Sequence, residues 1–322
     1  MKQEKLRVGV IGVGHLGEYH VQKYKALPTV ERVGVVDTNP DRAHEIAQRF
    51  NTTAYSEHNE ILDMVDGVSL AVPTGIHFDV AKDILSRGVH LLIEKPITYN
   101  LEPADTLINI AREKDLVLQV GLVERFNPAV VKMMSLLHQP VLIESQRMNQ
   151  FTTRGTDVDV VIDLMIHDLD IILHIVQSEV KEIHAVGMSI VTGKTDIANV
   201  RMIFENGTVA NLTASRLSHR TLREIRVFQP NAYFAVDYFR RELSVTRLDH
   251  EVKNLNNFPQ ISSDIMTFPG RDPLADQISS FVNAITNGSE PIVTGQDGRK
   301  ALKISLGIID QIKRGSKNFQ SI

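Results

Sequence analysis

Asp163, His167, Asp170 and His174 recur along one apolar stretch at intervals of four, three and four residues. On an α-helix that spacing places all four on a single stripe. Leu164, Ile172 and Ile175 occupy the opposing positions, so the helix is expected to be largely buried. A buried ionisable group needs a chemical or structural reason. Histidine is the side chain most readily poised for proton transfer near neutral pH, and a carboxylate one turn away fixes its tautomer and raises its basicity. Three readings stand at this point: acid–base chemistry centred on His167 and Asp163, a satisfied polar network in the core, or a metal site. Asp and His at helical spacing suit Zn or Fe, but no further ligand cluster accompanies them, so no metal is expected.

A second polar group, Glu94-Lys95-Pro96, follows the apolar run Val89–Ile93. The run reads as a buried strand, which puts Lys95 at a strand's carboxyl end, where its ammonium can reach a ligand over the sheet edge. Pro96 restricts Lys95 to extended backbone and makes the Lys95–Pro96 bond a candidate for the cis form. Alone, a strand-end lysine is an ordinary solvated charge. Lys95 gains meaning from a third motif.

That motif is Gly12-x-Gly14-x-x-Gly17, with the apolar strand Val8–Ile11 before it and a helical pattern from Leu16 after it. In this context Gly12 permits the tight turn, Gly14 lets a pyrophosphate approach the backbone, and Gly17 lets the helix pack closely on the strand. His15 and Leu16 open the helix, whose free N–H groups and positive dipole end suit phosphate. Val30–Val36 is the next strand and leads into Asp37, twenty residues after Gly17. A dinucleotide-binding fold carries there the carboxylate that bonds the ribose hydroxyls. No Lys or Arg adjoins Asp37, so a 2′-phosphate would meet a negative charge. NAD is therefore favoured over NADP, with Arg42 the nearby base that could oppose this choice. The alternative is a doubly wound domain that binds something else, or nothing.

The elements that must position these residues alternate between strand and helix over residues 1–122. Helices are expected from Leu16 to near Pro28, at Asp41–Phe50, at His77–Arg87 with Gly88 as the stop, and at Leu101–Lys114; strands at Thr53–Tyr55, Val68–Val72 and Val117–Val120. Such alternation means a parallel sheet covered by helices on both faces. Asp37, Val72-Pro73-Thr74, Glu94-Lys95 and Gln119 then fall at strand ends, along the edge where such sheets bind ligands. Beyond Gly121 the pattern changes. A short helix at Pro128–Leu137, a strand at Val141–Arg147 and a long helix at Val158–Val176 precede six β-rich runs between Val180 and Leu248. Glu205-Asn206-Gly207 reads as a hairpin turn. Asn254–Gly270 reads as loop, and Pro273–Asn287 and Asp297–Lys313 as helices. The expected fold class is α/β: a Rossmann doubly wound parallel sheet over 1–122, followed by an α+β domain over 123–322 with an open, largely antiparallel sheet. An apolar face on that sheet needs helices or another subunit to cover it, so a homodimer or homotetramer packed through it is expected.

Composition narrows the classes. With 322 residues, 43% hydrophobic and 23% charged, the chain reads as an ordinary globular protein of two domains. A net charge of −4 gives no footprint of a nucleic-acid partner. No apolar run is long enough to span a bilayer, so no membrane association is expected, and no leader is read before the first strand. The absence of cysteine excludes disulfides and a thiol nucleophile and fits a cytoplasmic location.

Together these residues resemble the glucose–fructose oxidoreductase / inositol dehydrogenase / rhizopine catabolism (Gfo/Idh/MocA) family over essentially the whole chain. The marks are the Gly12–Gly17 turn, Asp37, Val72-Pro73-Thr74 with His77, Glu94-Lys95-Pro96, Gln119, and Asp163-x-x-x-His167 with Asp170. The resemblance implies an NAD-dependent dehydrogenase acting on CH–OH groups of sugars. It implies cofactor contacts from Gly12, Gly14, His15, Leu16, Gly17, Asp37, Val72, Pro73, Thr74, His77, Glu94, Lys95 and Gln119. It also implies that Lys95 lies between nicotinamide and substrate, and that Asp163 and His167 hold the reacting hydroxyl with His167 as base.

Two departures qualify the likeness. Many members carry a glycine-rich run before the Asp and a Gly shortly before the His; here the stretches read Asp157-Val-Asp159-Val-Val-Ile and Leu164-Met165-Ile166. Val123-Glu-Arg125-Phe-Asn127-Pro128, with Ser215-Arg216, resembles a bacterial subgroup that oxidises the 3-hydroxyl of UDP-N-acetylglucosamine. Arg125, Arg154, Arg216 and Arg220 are then candidate ligands for a diphosphate, with ordinary salt bridges as the alternative. Two other functions are carried: a dehydrogenase of a free polyol or hexose such as inositol, and a non-catalytic nucleotide-sensing regulator. The intact Lys95, Asp163 and His167 speak against the regulator.

Overall fold

Val8, Val10 and Ile11 offer water no polar face, so the strand they form needs cover on both sides. The computed structural model describes residues 5–153, 155–253 and 259–316 of the chain, and there this strand is central. The first part of the chain runs β1 (Leu6–Ile11), α1 (His15–Lys25), β2 (Val30–Val36), α2 (Pro40–Phe50), β3 (Thr53–Tyr55), β4 (Gly67–Leu70), α3 (His77–Ser86), β5 (His90–Glu94), α4 (Leu101–Glu113) and β6 (Leu118–Gly121). The strands pair in parallel in the order β3-β2-β1-β4-β5-β6. The order reverses between β1 and β4, the switch point beyond whose carboxyl ends such sheets bind ligands.

The glycine turn joins β1 to α1 under steric constraint. Gly12 has φ +81, and a β-carbon there would meet the Ala71 carbonyl oxygen at 2.7 Å. A β-carbon on Gly17 would overlap the Gly12 carbonyl oxygen. One on Gly14 would find no heavy atom within 4 Å. The packing of the protein therefore demands glycine at 12 and 17, whereas position 14 faces open space.

The second part of the chain runs α5 (Pro128–Met134), β7 (Leu142–Met148), α6 (Ile166–Val176), β8 (Val180–Met188), β9 (Ile197–Phe204), β10 (Val209–Ser215), β11 (Leu222–Gln229), β12 (Ala232–Asp237), β13 (Glu242–Lys253) and β14 (Pro259–Thr267). Its eight strands form one sheet in the order β14-β13-β12-β11-β7-β10-β9-β8, antiparallel except for β7 beside β10. One face carries buried side chains such as Val200, Met202, Leu212, Val227 and Phe234. The other carries ion pairs and polar ladders, among them Arg226 with Glu144 and Glu224, and Asn199 with Thr213. The open face is thus mixed in polarity, and the apolar face is already inside the unit.

Two expectations are corrected. Residues 259–267 form strand β14, not loop; polar Gln260, Ser262, Ser263 and Asp264 carry no alternating apolar signal because the strand lies exposed at the sheet edge, where Pro259 is also tolerated. Residues 254–258 of the expected loop lie outside the described residues. The long helix expected over Val158–Val176 divides into a π-helical turn at Val161–Met165 and α6.

Two helices close the chain, α7 (Pro273–Asn287) and α8 (Gly295–Ser316). The chain divides into one unit of Met1–Val123 with Asp272–Leu302 and another of Glu124–Arg271 with Lys303–Ile322. The second domain expected over 123–322 thus loses α7 and the start of α8 to the first unit. The reason is the apolar stripe of α7: Ile278, Phe281 and Val282 complete a core with Val8, Val10 and Val35.

The glycine geometry predicts opposite outcomes at two positions. Gly17→Ala should destabilise the protein by about 1–3 kcal/mol through overpacking. Gly14→Ala should leave stability within about 0.5 kcal/mol yet weaken NAD binding. Urea unfolding and NAD titration on both variants check this, and tight NAD binding by Gly14→Ala would contradict it.

Candidate active site

In the first unit the candidate residues gather where the parallel strands end. The Asp37 carboxylate accepts the N–H of Val13 at 2.9 Å and of Asn39 at 3.0 Å, which holds it against the glycine turn. Arg42 donates to the Val13 carbonyl at 2.9 Å, to Glu18 at 2.6 Å and to Glu45 at 2.8 Å. Its hydrogen bonds to Glu45 and Glu18 push its pKa above the usual arginine range. The base near Asp37 that could favour a 2′-phosphate is therefore held by two carboxylates. The first turn of α1 has no side-chain cap at Gly14. An open approach at Gly14, an uncapped helix N-terminus and the Asp37 carboxylate fit an adenine dinucleotide without a 2′-phosphate.

Beneath this edge lies a set of buried supports. His77 is 1% exposed, with Nδ1 2.9 Å from the Pro96 carbonyl oxygen and Nε2 2.9 Å from that of Val72. Burial holds its pKa below the usual histidine range, against the pull of the two carbonyls. A neutral imidazole has a single N–H and donates to one carbonyl at a time. His77 so ties the turn after β4 to the Lys95–Pro96 turn, whose peptide bond is cis. Glu94 is buried, 3.2 Å from His20 Nε2, and accepts from Gln277 at 3.4 Å. Gln119 is fully buried and donates to the Gln277 carbonyl at 2.9 Å. Gly14, His15, Leu16, Asp37, Val72, Pro73, Thr74 and Lys95 keep some exposure along the edge, whereas His77, Glu94 and Gln119 lie below it and hold it.

In the second unit, Asp163 sits on the π-helical turn and His167 at the start of α6, both half-buried. The four residues expected on one α-helical stripe are divided between two elements: Asp163 lies on the π-turn, and His167, Asp170 and His174 lie on α6. Asp170 is buried and His174 is exposed. Asp170 takes both Nε (3.0 Å) and Nη2 (2.5 Å) of Arg125, at 2% exposure on either side. Arg125, expected as a substrate ligand, is therefore an internal partner of α6.

Asp168 makes a matching pair. Arg147 donates to it at 2.7 and 3.0 Å and to Glu124 at 2.9 Å, with its guanidinium 4.7 Å from the centre of the Tyr238 ring. Burial opposes the charge on Arg147, but Asp168 and Glu124 outweigh it and raise its pKa well above the usual range. Arg216, another expected substrate ligand, donates to the carbonyls of Gly155 at 2.9 Å and Val158 at 2.7 Å. Arg154 lies outside the described residues.

A depression of about 300 Å³ opens beside Asp163, lined by Asn149, Gln150, Thr152, Asp163, Leu164, Arg216, Thr221 and Arg223. Arg223 escaped the sequence reading. Burial, and then the charge of Arg147, lower its pKa. A signal was available: Arg223 shares the inward register of β11 with the buried Ile225 and Val227, and a charged residue at an inward position has a partner or a task.

The cofactor geometry yields a direct expectation. NAD should bind more tightly than NADP, and Asp37→Ser should narrow the difference by removing repulsion of the 2′-phosphate. Titration of both cofactors by intrinsic fluorescence quenching tests this; tighter binding of NADP to the unaltered chain would overturn it.

Comparison with known proteins adds to this geometry. The sequence pattern of the oxidoreductase family with an NAD-binding Rossmann fold matches residues 6–122, and that of the GFO/IDH/MocA C-terminal domain matches 129–232. UDP-N-acetylglucosamine 3-dehydrogenase of Acidithiobacillus ferrooxidans is 38% identical over 94% of this chain and 96% of its own. A solved structure of that enzyme superposes with a TM-score of 0.91 at 37% identity, covering 97% and 99% of the two chains. Myo-inositol 2-dehydrogenase of Thermotoga maritima is 24% identical over 92% of this chain and 93% of its own. Levoglucosan dehydrogenase, solved with NADH and levoglucosan, shares the fold at a TM-score of 0.86 and 19% identity, covering 97% and 98%. The glycine turn, the Asp37 carboxylate held against it and both matched segments lead to one conclusion: the chain belongs to the Gfo/Idh/MocA family of NAD-binding oxidoreductases.

Proposed function

We propose that this chain is an NAD-dependent dehydrogenase of a nucleotide sugar, oxidising the 3-hydroxyl of UDP-N-acetylglucosamine. The observation that carries the reading is the polar depression beside Asp163. Asn149, Gln150, Thr152 and Thr221 offer hydrogen bonds for sugar hydroxyls and an acetamido group, and Arg223 adds a cation for a phosphate oxygen. A free polyol would call for the amides and hydroxyls without the cation. The enzyme named for this reaction, similar along nearly the whole chain, supports the same substrate.

Oxidation of a secondary alcohol removes a proton from oxygen and a hydride from carbon. The nicotinamide, when bound, supplies the hydride acceptor. His167 takes the hydroxyl proton and Asp163 orients its ring. Lys95 donates a charge-assisted hydrogen bond to the oxygen as negative charge grows there. Gly12, Gly14, Gly17 and Asp37 hold the dinucleotide and take no part in proton transfer.

Two outcomes test this reading. Lys95→Ala should cost on the order of 10²–10³ in turnover, the usual loss of one preorganised donor. His167→Gln should cost roughly 10²–10⁴, with NAD affinity preserved in both variants. A folded His167→Gln protein that oxidises UDP-N-acetylglucosamine at the full rate would overturn the mechanism.

We also propose that the chain forms a homodimer or homotetramer through the open face of the eight-stranded sheet. That face presents the Phe228–Tyr233 ring pair, with centroids 4.8 Å apart, among its ion pairs, the mixture common at interfaces between subunits. Light scattering at micromolar concentration should give at least twice the chain mass, and a monomer there would end the proposal.

A further inference from the structure

No run of glycines precedes Asp163 in this chain, and a different device holds the backbone there. Arg216 follows directly on β10 and is 5% exposed. Its two terminal nitrogens bond the carbonyls of Gly155 (2.9 Å) and Val158 (2.7 Å), and its Nε lies 3.9 Å from Asp196. Asp196 is fully buried. One of its oxygens accepts the N–H groups of Ile190, Val191 and Thr192 at 2.7–2.9 Å, and the other accepts the Thr192 hydroxyl at 2.6 Å. Burial pushes the Asp196 carboxyl up, but these donors prevail and hold it at about 2. Asp196 is therefore a fixed negative point beside the guanidinium, and the Arg216 backbone N–H is anchored on the Asp196 carbonyl at 3.0 Å.

The same strand connection grips the segment a second time. Thr195 donates its N–H to the Asp159 carboxylate at 3.0 Å, and its carbonyl accepts the N–H of Val160 at 2.9 Å. From Asp159 the backbone enters the turn that bears Asp163, whose N–H bonds the Asp159 carbonyl at 3.0 Å. At the other end of the segment, Gly155 has φ +70, and a β-carbon built on it would lie 3.0 Å from Asp163 Oδ2. The pinned backbone thus passes close to the carboxylate and leaves little room there for a side chain.

We infer that Arg216 is a positioning residue: with Asp196 as its anchor it clamps the Gly155–Asp159 backbone and so sets where the Asp163 carboxylate stands. The inference rests on the proposed role of Asp163. The two carbonyls are bonded by different nitrogens of the guanidinium, a spread that the single nitrogen of lysine does not reproduce in full. A shift of about 1 Å in a catalytic group costs about 10²-fold in rate.

The test compares Arg216→Gln, Arg216→Lys, Gly155→Ala and Asp163→Asn, with turnover of UDP-N-acetylglucosamine normalised to NAD bound per chain. Arg216→Gln should lower kcat by about 10²-fold. Its KM for NAD should stay within about twofold of the parent, since NAD is held by other residues. Arg216→Lys should recover only part of the loss. Gly155→Ala tests the same contact without disturbing the buried pair, and should lower kcat while NAD binding persists. Full turnover in both Arg216→Gln and Gly155→Ala, with Asp163→Asn impaired, would overturn the positioning role and leave the proposed function standing. Should Arg216→Gln fail to bind NAD, Gly155→Ala alone decides in the same way. Full turnover in Asp163→Asn would overturn both.

Discussion

Two carboxylates on α6 have been taken out of water, and the second unit is arranged around that fact. Removing an ionised group from solvent costs several kcal/mol, which attraction to an opposite charge offsets only when the geometry is good. Asp168 and Asp170 meet this condition through two-pronged contacts with Arg147 and Arg125. The arginines approach from different elements, β7 and the short turn at Val123–Phe126. Two such contacts leave the helix little freedom to rotate about its own axis. His167, adjacent to Asp168, inherits that fixed orientation, which suits the proton transfer proposed for it.

The first unit reaches the same end by packing. Its ligand edge is built from short turns after parallel strands, and each turn is held from below. His77 ties the turn after β4 to the one after β5, and Glu94 meets His20 of α1 and Gln277 of α7. The residue types that looked like cofactor contacts are in part the frame that presents the others. Of the three glycines of the turn, only Gly14 is left open by the fold itself, which is the space a pyrophosphate needs to approach the backbone.

The departure from the family pattern before Asp163 has a physical counterpart. A glycine-rich run lets backbone pass close to a site because nothing projects from it. Here a single glycine with positive φ does so at position 155, and charged side chains restrain the residues around it. Arg125 and Arg216, two of the expected substrate ligands, bond the helix and the backbone. Arg223, which lines the depression together with Arg216, comes from a strand whose alternation had drawn attention only to its apolar residues.

Local chemistry was legible along the chain. Glycine spacing, the apolar runs, the turn at Glu205-Asn206-Gly207 and the Asp37 position depend on neighbours within about twenty residues, and each produced the element expected of it. The fold class came with them, because strand–helix alternation permits few arrangements. The π-turn that carries Asp163, the exposed strand β14 and the return of α7 to the first core were decided by contacts far apart in sequence. So were the partners of the arginines: Arg125 lies 45 residues from Asp170, and Arg216 lies 61 from Gly155. A charged side chain reads the same in sequence whether it faces water, a ligand or a buried carboxylate. Only the folded chain determines which of these lies within hydrogen-bond reach, because that distance is set by packing and not by spacing along the backbone.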